Sequence, residues 1–343
     1  MIDLNKIIRP NIVALRPYSS ARDEFKGEEG CFLDANENPF GELNRYPDSS
    51  QKALKTAFAA LKEVQIDNVF IGNGSDEIID LAFKIFCEPN EDKALSFTPS
   101  YGMYEVSAAI NSVALIKVDL SSDFQIDLDT TSQYLSDPKL KLIFICSPNN
   151  PTGNNLDKAS IEFLLQNFDG VIIIDEAYAD FSKEVSWVKS IKEYPNLMVT
   201  QTMSKAWGLA GARIGTAYAN SNIINVLNKV KPPYSISKLN QNAALKAISD
   251  SENFEQQLDD ILAQKEWLFQ SLKRLQIIKK IYPSNANFFL VEVEDADHVY
   301  DALVEQKIII RNRNSLVKNC LRITIGSEVE NQQLLMALKN IKP

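Results

Sequence analysis

Histidine is almost absent from this chain, and its scarcity excludes several kinds of catalysis. Only one histidine, His298, occurs among the 343 residues. Triads that use a histidine base and metal sites built from several histidines are therefore excluded. The segment DADHVY around His298 is typical of the capped start of a surface helix, so no catalytic role is expected for it.

Cysteine is also scarce, and its spacing fits no metal or redox motif. The four cysteines are Cys31, Cys87, Cys146 and Cys320. The last two lie in apolar, strand-like runs and are expected to be small core residues. No stretch approaches the roughly 18 apolar residues of a membrane span, and the first ten residues contain no apolar targeting core. We therefore expect no membrane span, no signal peptide and a reducing, cytoplasmic location.

Positive charge is in the minority, because 36 basic residues stand against 45 acidic ones, for a net charge of −9. This balance disfavours binding to nucleic acids or anionic membranes. Positive charge that serves function must then be concentrated in a cleft, where it attracts anionic small molecules. The apolar fraction of 45% is ordinary for a globular protein, so a packed core in one or two domains is expected.

Lys205 is the most informative residue that is present. It follows the apolar run LMVTQT and opens the segment SKAWGLAGAR. Its amine can form a Schiff base with an aldehyde. The hydroxyls of Thr202 and Ser204 and the guanidinium of Arg213 can hold a phosphate beside it. Pyridoxal 5′-phosphate carries both an aldehyde and a phosphate, so this segment predicts a site for that cofactor.

Two further apolar runs end in polar residues that suit the cofactor ring. LKLIFIC is followed by SPNNPTG, and VIII is followed by DEAY. Open α/β sheets bind ligands at the carboxyl ends of their strands. We therefore expect Asn150 and Tyr178 to contact the phenolate oxygen, and Asp175 to keep the ring nitrogen protonated so that the ring withdraws electrons. A simple turn at Asn150, and a capping aspartate with a core tyrosine, are the alternatives for each motif alone.

The segment FIGNGSDE precedes an apolar-periodic helix and predicts the remaining cofactor contacts. Glycines that open a helix leave free N–H groups at its N-terminus, so Gly74, Ser75 and Asp76 are assigned to an anion site. Ser75 or Asp76 is equally suited to be an ordinary N-cap. Tyr101 follows a short strand at 94–97 and is expected to stack on the cofactor ring. A core or surface tyrosine is the alternative.

Together and in order, the segments GNGSDE, PSYGMY, SPNNPTG, DEAY and SKAWGLAGAR resemble the fold-type I aminotransferases that depend on pyridoxal phosphate. The segments LRPY, DANENP, RYP, IR and CLRITIG are similar to the histidinol-phosphate aminotransferase family. The similarity runs from about Leu15 to about Ile325, with a local departure at Trp207. It implies an α/β fold in which a large domain holds a mostly parallel seven-stranded sheet flanked by helices, followed by a smaller α+β C-terminal domain.

The chain's alternating strand and helix patterns from about 69 to 218 are those of such a sheet. The expected division is an N-terminal arm or small-domain segment at 1–30, a large cofactor-binding domain at 31–250 and a small domain at 251–343. A long amphipathic helix should bridge the domains, since its spaced positions between Phe254 and Leu275 are apolar except for Lys265. Strands in the small domain are expected at 288–293, 307–311 and 321–325.

The resemblance implies an enzyme that transfers the amino group of L-histidinol phosphate to 2-oxoglutarate, giving imidazole-acetol phosphate and glutamate, in histidine biosynthesis. Lys205 would hold the cofactor and then carry the Cα proton, with Asp175 and Tyr178 as the other catalytic residues. Arg322 is expected to bind the anion of both substrates bidentately, with Arg311 beside it. A surface strand arginine is the alternative for Arg322.

By the same resemblance, Tyr18 and Asn36 complete the substrate pocket, and Tyr46 reaches the cofactor phosphate of the partner subunit. A homodimer with both active sites at the interface is therefore expected, without a metal site and without nucleic-acid or membrane partners. Three alternatives stay open: a threonine-phosphate decarboxylase using the same cofactor, an aromatic amino-acid aminotransferase and a cofactor-binding regulator. The regulator would need a DNA-binding module, for which this acidic chain has no room.

Overall fold

The computed structural model describes residues 6–18, 21–25 and 30–341, and its largest element is a seven-stranded sheet. The strands are β1 (Val69–Asn73), β2 (Lys93–Thr98), β3 (Ala114–Asp119), β4 (Leu140–Cys146), β5 (Val171–Asp175), β6 (Leu197–Thr202) and β7 (Ile214–Ala219). They lie in the order β1-β7-β6-β5-β4-β2-β3. β7 runs antiparallel to β1 and β6, and the other neighbours are parallel. The predicted mostly parallel seven-stranded sheet is confirmed.

The central strands are apolar along their whole length because both faces of the sheet are covered. In β5, Ile172 and Ile174 belong to the core on one face, while Val171 and Ile173 belong to the core on the other. This division follows from the two-residue period of a strand. Asp175, the last residue of β5, is therefore the first polar side chain at the carboxyl edge of a fully buried strand.

Helices cover both faces of this sheet and continue into the C-terminal part of the chain. In the described residues they are α1 (Pro10–Ala14), α2 (Ala21–Glu24), α3 (Lys52–Lys62), α4 (Ser75–Phe86), α5 (Met103–Ile110), α6 (Leu128–Ser132), α7 (Lys158–Asn167), α8 (Ser221–Val230), α9 (Lys238–Ser249), α10 (Ser251–Leu272), α11 (Ala296–Glu305) and α12 (Glu328–Asn340). The start of α12 is fixed by a reciprocal capping box between Ser327 and Glu330.

The predicted long amphipathic helix is confirmed by α10, which contacts two different cores. Phe254 and Leu258 pack against a small cluster that contains Tyr178, while Leu268 and Leu272 are buried in the core of the second sheet. Because α10 contributes to both cores, it connects the two sheets.

The second sheet has four antiparallel strands. They are β8 (Ile278–Ile281), β9 (Phe288–Val293), β10 (Arg311–Asn312) and β11 (Cys320–Thr324), in the order β10-β11-β9-β8. The strand expected at 307–311 is mostly wrong, because Lys307 has a positive φ of 61° in the turn after α11 and pairing begins only at Arg311. The short strand β8 was not predicted, since IKKI carries two lysines in four residues.

The N-terminal segment packs on the large sheet's helices within the same protomer. Ile8 and Ile12 join the core that contains α4 and α8. The Arg9 N–H donates to the Ile85 carbonyl at 3.0 Å, and the Arg9 Nε pairs with Glu88 Oε2 at 3.0 Å. The described part of this arm therefore lies away from the four-stranded sheet. The predicted boundaries, with the large domain beginning at residue 31 and the small domain at residue 251, stay predictions. No helix within the described ranges is long and apolar enough to cross a bilayer.

Candidate active site

The carboxyl ends of the parallel strands open into a cavity of about 350 Å³ between the two sheets. Most of the predicted site residues line it, from Ser75 and Asp76 at the start of α4 to Arg311 and Arg322 in the second sheet. This is the edge at which open α/β sheets bind ligands.

One end of the cavity is built to hold an anion. Gly74, with a φ of +78°, turns the chain from β1 into α4, and Ser75 begins the helix. At the end of β6, the Thr202 and Ser204 hydroxyl oxygens lie 3.0 Å apart. A Cβ at Gly74 would lie 2.4 Å from the Arg213 Nη2 atom, so any larger residue would displace the guanidinium from this position. Hydroxyls, a helix N-terminus and a guanidinium together suit a phosphate.

Asp175 provides a buried carboxylate at the floor of the cavity. Its side chain accepts hydrogen bonds from the Tyr104 hydroxyl at 2.9 Å and from the Ala177 N–H at 3.1 Å. Burial raises the pKa of Asp175 to about 6, although both hydrogen bonds act in the opposite direction. These donors are neutral, so a cationic partner such as a pyridinium N–H would stabilise the ionised carboxylate.

Asp76 connects two groups beside this floor. It accepts a hydrogen bond from the Tyr101 hydroxyl at 3.1 Å and lies 3.5 Å from the Arg213 Nη2 atom. The Tyr101 ring meets the Tyr104 ring edge-on, with centroids 5.6 Å apart. Asp76 therefore fixes the tyrosine that is predicted to stack on the cofactor ring, and that stacking role stays a prediction.

Asn150 links the strand edge to the second sheet. Its amide donates to the Tyr178 hydroxyl oxygen at 3.2 Å, and its carbonyl oxygen accepts from the Arg322 Nη1 atom at 2.5 Å. Phe288 supports both partners, because its ring meets Tyr178 edge-on at 5.1 Å and lies 5.3 Å from the Arg322 guanidinium carbon. Asn150 and Tyr178 are predicted to contact the phenolate oxygen of the cofactor. Asn150 is also hydrogen-bonded to Arg322, the residue predicted to bind the substrate.

Lys205 lines the same cavity and stays accessible to solvent through its mouth. Its Nζ atom lies 5.8 Å from the centroid of the Tyr178 ring. Partial burial in the cavity, followed by the nearby Arg322 guanidinium, lowers the pKa of Lys205. A lowered pKa leaves a larger fraction of the amine neutral, and the neutral amine is the nucleophile and the base.

Three arginines form the wall that the second sheet contributes. Arg311 pairs with Arg322 across the β10–β11 ladder, and Arg313 follows two residues later. Burial and the other two guanidiniums lower the pKa of Arg313 to about 10, and burial lowers that of Arg322. Among the described residues, the Nε atoms of Arg313 and Arg322 are buried without a hydrogen-bond partner. A bound anion would stabilise such a cluster of guanidiniums. The sequence predicted positive charge concentrated in a cleft, where it attracts anionic molecules.

Three predicted residues lie outside this cavity in their own protomer. Asn36 and Tyr46 line a separate surface cavity of about 390 Å³, where the Tyr46 ring stacks on Tyr234 with centroids 4.4 Å apart. Tyr18 is 68% exposed and borders another cavity of about 230 Å³. Their roles at a cofactor or substrate stay predictions that depend on a partner subunit.

Two residues that shape the site were missed from the sequence. Tyr104 was quoted within PSYGMY but given no role, although it supplies the hydroxyl that holds Asp175. Arg313 was missed although the alternation in IRNRN places it on the same side as Arg311. The departure at Trp207 is a packing feature, because its ring stacks on Phe254 of α10 with centroids 3.9 Å apart.

These groups fit pyridoxal phosphate. Ser75, Thr202, Ser204 and Arg213 would hold its phosphate, and the buried carboxylate of Asp175 would hold its ring nitrogen. The described residues contain no cluster of three or more histidine, cysteine, aspartate or glutamate side chains that could bind a metal ion.

Comparisons with known proteins agree with this chemistry. The family model for aminotransferase class I and II matches residues 27–341. The curated histidinol-phosphate aminotransferase of Parabacteroides distasonis is 48% identical over 345 aligned residues, which cover 100% of this chain and 100% of that protein. The solved histidinol-phosphate aminotransferase from Clostridium acetobutylicum has a TM-score of 0.79 and 27% identity, and the match covers 87% of this chain and 90% of that one.

A second solved structure bears on the fold alone, because its identity is lower. The histidinol-phosphate aminotransferase from Sinorhizobium meliloti, solved in complex with pyridoxal-5′-phosphate, has a TM-score of 0.79 at 23% identity and matches over 89% of each chain.

Proposed function

Because the chain belongs to the class I and II aminotransferases, we propose that it transfers the amino group of L-histidinol phosphate to 2-oxoglutarate in histidine biosynthesis. The products are imidazole-acetol phosphate and glutamate. The observation that carries the proposal is the contact between Arg322 and Asn150, because it places an anion-binding guanidinium directly against the cofactor site. The full-length 48% identity to a curated histidinol-phosphate aminotransferase supports this choice of donor.

The cofactor is pyridoxal 5′-phosphate. When bound, it supplies an electron-withdrawing ring that stabilises negative charge at the carbon from which a proton has been removed. Asp175 would keep the ring nitrogen protonated, while Asn150 and Tyr178 would donate hydrogen bonds to the phenolate oxygen. The hydroxyls of Thr202 and Ser204 would hold the phosphate.

Lys205 is the residue that transfers the proton. Its lowered pKa favours the neutral amine, which would hold the cofactor through its aldehyde and, when free, would be the base that accepts the proton from the substrate Cα. The same amine would then return the proton to the cofactor's aldehyde carbon. A single flexible side chain could serve both transfers because the two carbons flank the same nitrogen atom.

Arg322 recognises both substrates in turn. Histidinol phosphate carries a phosphate ester, whereas glutamate and 2-oxoglutarate carry carboxylates. A planar guanidinium binds either anion bidentately. The ring of Phe288 lies against the Arg322 guanidinium and limits its motion, so both anions would meet the same positioned group.

The enzyme is further proposed to act as a homodimer in the cytoplasm. Large apolar side chains near the separate cavity of Asn36 and Tyr46 are exposed, including Phe40 at 81% and Leu43 at 61%. Exposed apolar surface of this kind is typical of a subunit interface. The four cysteines are free, and three of them are buried, which supports a reducing compartment.

A coupled assay tests the function. The purified protein, loaded with pyridoxal phosphate, is mixed with histidinol phosphate and 2-oxoglutarate, and glutamate formation is followed. Rapid formation of glutamate is expected, with much slower turnover of phenylalanine or tyrosine as donors. Release of carbon dioxide from threonine phosphate, without glutamate formation from histidinol phosphate, would instead identify a decarboxylase and overturn the proposal.

A further inference from the structure

Strand β10 and the loop after it present different side chains to their two sides. Arg311 and Arg313 line the cavity, while the intervening Asn312 and the following Asn314 bond to α11 on the other side. The alternation follows from the two-residue period of extended chain. The backbone of Arg313 keeps this register by donating its N–H to the Cys320 carbonyl at 2.9 Å.

One carboxylate holds both asparagines. The Asn312 amide donates to Asp297 Oδ1 at 2.6 Å, and the Asn314 amide donates to Asp297 Oδ2 at 2.8 Å. The two asparagines are also connected, because the Asn314 N–H donates to Asn312 Oδ1 at 2.8 Å. The Asn319 N–H closes the loop by donating to Asn314 Oδ1 at 2.8 Å. Hydrogen bonds to an ionised carboxylate are stronger than those between neutral groups.

The position of Asp297 is fixed by helix α11. It lies in the first turn of α11, where its neighbour Asp295 caps the helix by accepting from the His298 N–H. Ala296, Val299 and Leu303 of this helix are buried in the core of the second sheet. The position of Asp297 is therefore set by the core, and the loop takes its position from Asp297.

We propose that Asp297 is a positioning residue for substrate selection. By holding Asn312 and Asn314, it keeps Arg311 and Arg313 directed into the cavity and thereby favours donors that carry a phosphate ester over donors that carry only carboxylates. This inference rests on the proposed function and adds a residue outside the cavity to it.

The number of oxygens explains why phosphate depends more on this loop than carboxylate does. A carboxylate has two oxygens and one charge, which a single bidentate guanidinium such as that of Arg322 satisfies. A phosphate monoester has three terminal oxygens and up to two charges, so it needs further donors. Arg313 offers such donors, because it lines the cavity beside Arg311 and Arg322.

The test compares Asp297→Ala with Asp301→Ala in the enzyme loaded with pyridoxal phosphate. Asp301 is an exposed carboxylate one turn later on α11, so its removal changes the net charge equally. Loss of the two bonds in Asp297→Ala is expected to lower kcat/KM for histidinol phosphate by roughly three- to tenfold, mainly through KM. The glutamate half-reaction should change less than twofold, and Asp301→Ala should leave both reactions near wild type.

The sign of the effect separates positioning from simple electrostatics. Removing a negative charge near an anion site should strengthen anion binding if charge alone mattered. The positioning role predicts the opposite for Asp297→Ala. Asn312→Ala removes the other end of the contact and should give a similar loss that does not add to that of Asp297→Ala. Tighter phosphate binding, equal losses for both donors or fully additive losses would overturn the proposal.

A binding measurement makes the outcome independent of the proposed reaction. Methyl phosphate and acetate are titrated into the loaded enzyme as probes of a phosphate ester and a carboxylate. Asp297→Ala should weaken methyl phosphate by the same roughly three- to tenfold and leave acetate unchanged. If the wild type binds methyl phosphate but does not transaminate histidinol phosphate, the proposed function fails while this comparison still decides the role of Asp297.

Discussion

Asp175 is a residue whose burial costs free energy until a cation pairs with it. Its pKa of about 6 lies above the ordinary aspartate value of 3.8, so the cofactor-free folded protein holds this proton more tightly than the unfolded chain does. Stability is therefore lost as the pH rises from about 4 to about 6, and the full penalty is present above that window. A difference of roughly two pKa units corresponds to about 3 kcal/mol.

Asp175→Asn should therefore make the cofactor-free protein more stable than the cofactor-free wild type at pH 8, by up to about 3 kcal/mol. The amide can still accept from Ala177 and contact Tyr104, but it carries no charge to desolvate. Urea unfolding at pH 8 and at pH 5 measures the two free energies of unfolding, and their gap should shrink at pH 5. A gap that does not depend on pH would show that the folded state binds no extra proton at Asp175, and therefore that burial does not raise its pKa. The loaded variant should lose most of its turnover, because an amide cannot keep the ring nitrogen protonated.

Arg322→Ala should impair both half-reactions, because we propose that its guanidinium binds two chemically different anions. Loss of a hydrogen bond to a charged group in a partly desolvated cleft costs roughly 1.5–3 kcal/mol, or about 10- to 150-fold in kcat/KM. Single-turnover measurements with histidinol phosphate and with glutamate separate the two. If only one half-reaction suffers, Arg311 or Arg313 holds the other anion.

At the scale of elements, the join between β1 and α4 depends on one glycine. Gly74→Ala would force an alanine into a φ of +78° and place its Cβ 2.4 Å from the Arg213 guanidinium. The displaced guanidinium should weaken cofactor binding by at least about tenfold, as expected for a lost charged contact. Gly102→Ala is the matched control, because a Cβ there meets nothing within 4 Å. Equilibrium titration with pyridoxal phosphate gives both affinities, and equal values would show that phosphate binding does not depend on the present position of the Arg213 guanidinium.

The large sheet and its edge were predictable because each strand there is a continuous apolar run that ends in a polar motif. β4 and β5 are the clearest cases, since LKLIFIC and VIII are buried on both faces and lead directly to Asn150 and Asp175. The same pattern located Lys205 just beyond β6.

The second sheet was less predictable because its pairing depends on contacts distant in sequence. β8 is half-exposed and lysine-rich, and β10 consists of only two residues. The pair of Tyr104 with Asp175 spans 71 residues, and no local pattern indicates it. The contact of Arg322 with Asn150 spans 172 residues and follows only from the docking of the two sheets.

At the scale of the whole molecule, charge is distributed unevenly. The chain has a net charge of −9, yet Arg311, Arg313 and Arg322 meet in one wall of the cavity while Asp175 lies at its floor. Low-dielectric walls and this local excess of positive charge concentrate anionic substrates at the site. Raising the ionic strength should therefore weaken substrate capture more than it weakens the fold.

The whole assembly decides whether Tyr46 reaches an active site. In its own protomer it lies against Tyr234, outside the cavity of Lys205. If it serves the partner, a heterodimer of one Lys205→Ala subunit and one Tyr46→Ala subunit contains one fully intact site, with Lys205 from one chain and Tyr46 from the other. Co-expression with two different affinity tags allows that heterodimer to be purified, and its activity should be about half that of the wild-type dimer.

The two parent homodimers provide the reference for this experiment. Lys205→Ala should be inactive and should lose the cofactor that borohydride fixes covalently in the wild type, because the reactive amine is gone. Tyr46→Ala should keep its lysine but bind the cofactor more weakly at both sites. If Tyr46 instead served its own subunit, the heterodimer would hold one dead site and one weakened site, and its activity would be half that of Tyr46→Ala. An activity above that of both parents can arise only if each site draws residues from two chains, which would make the dimer the smallest active unit.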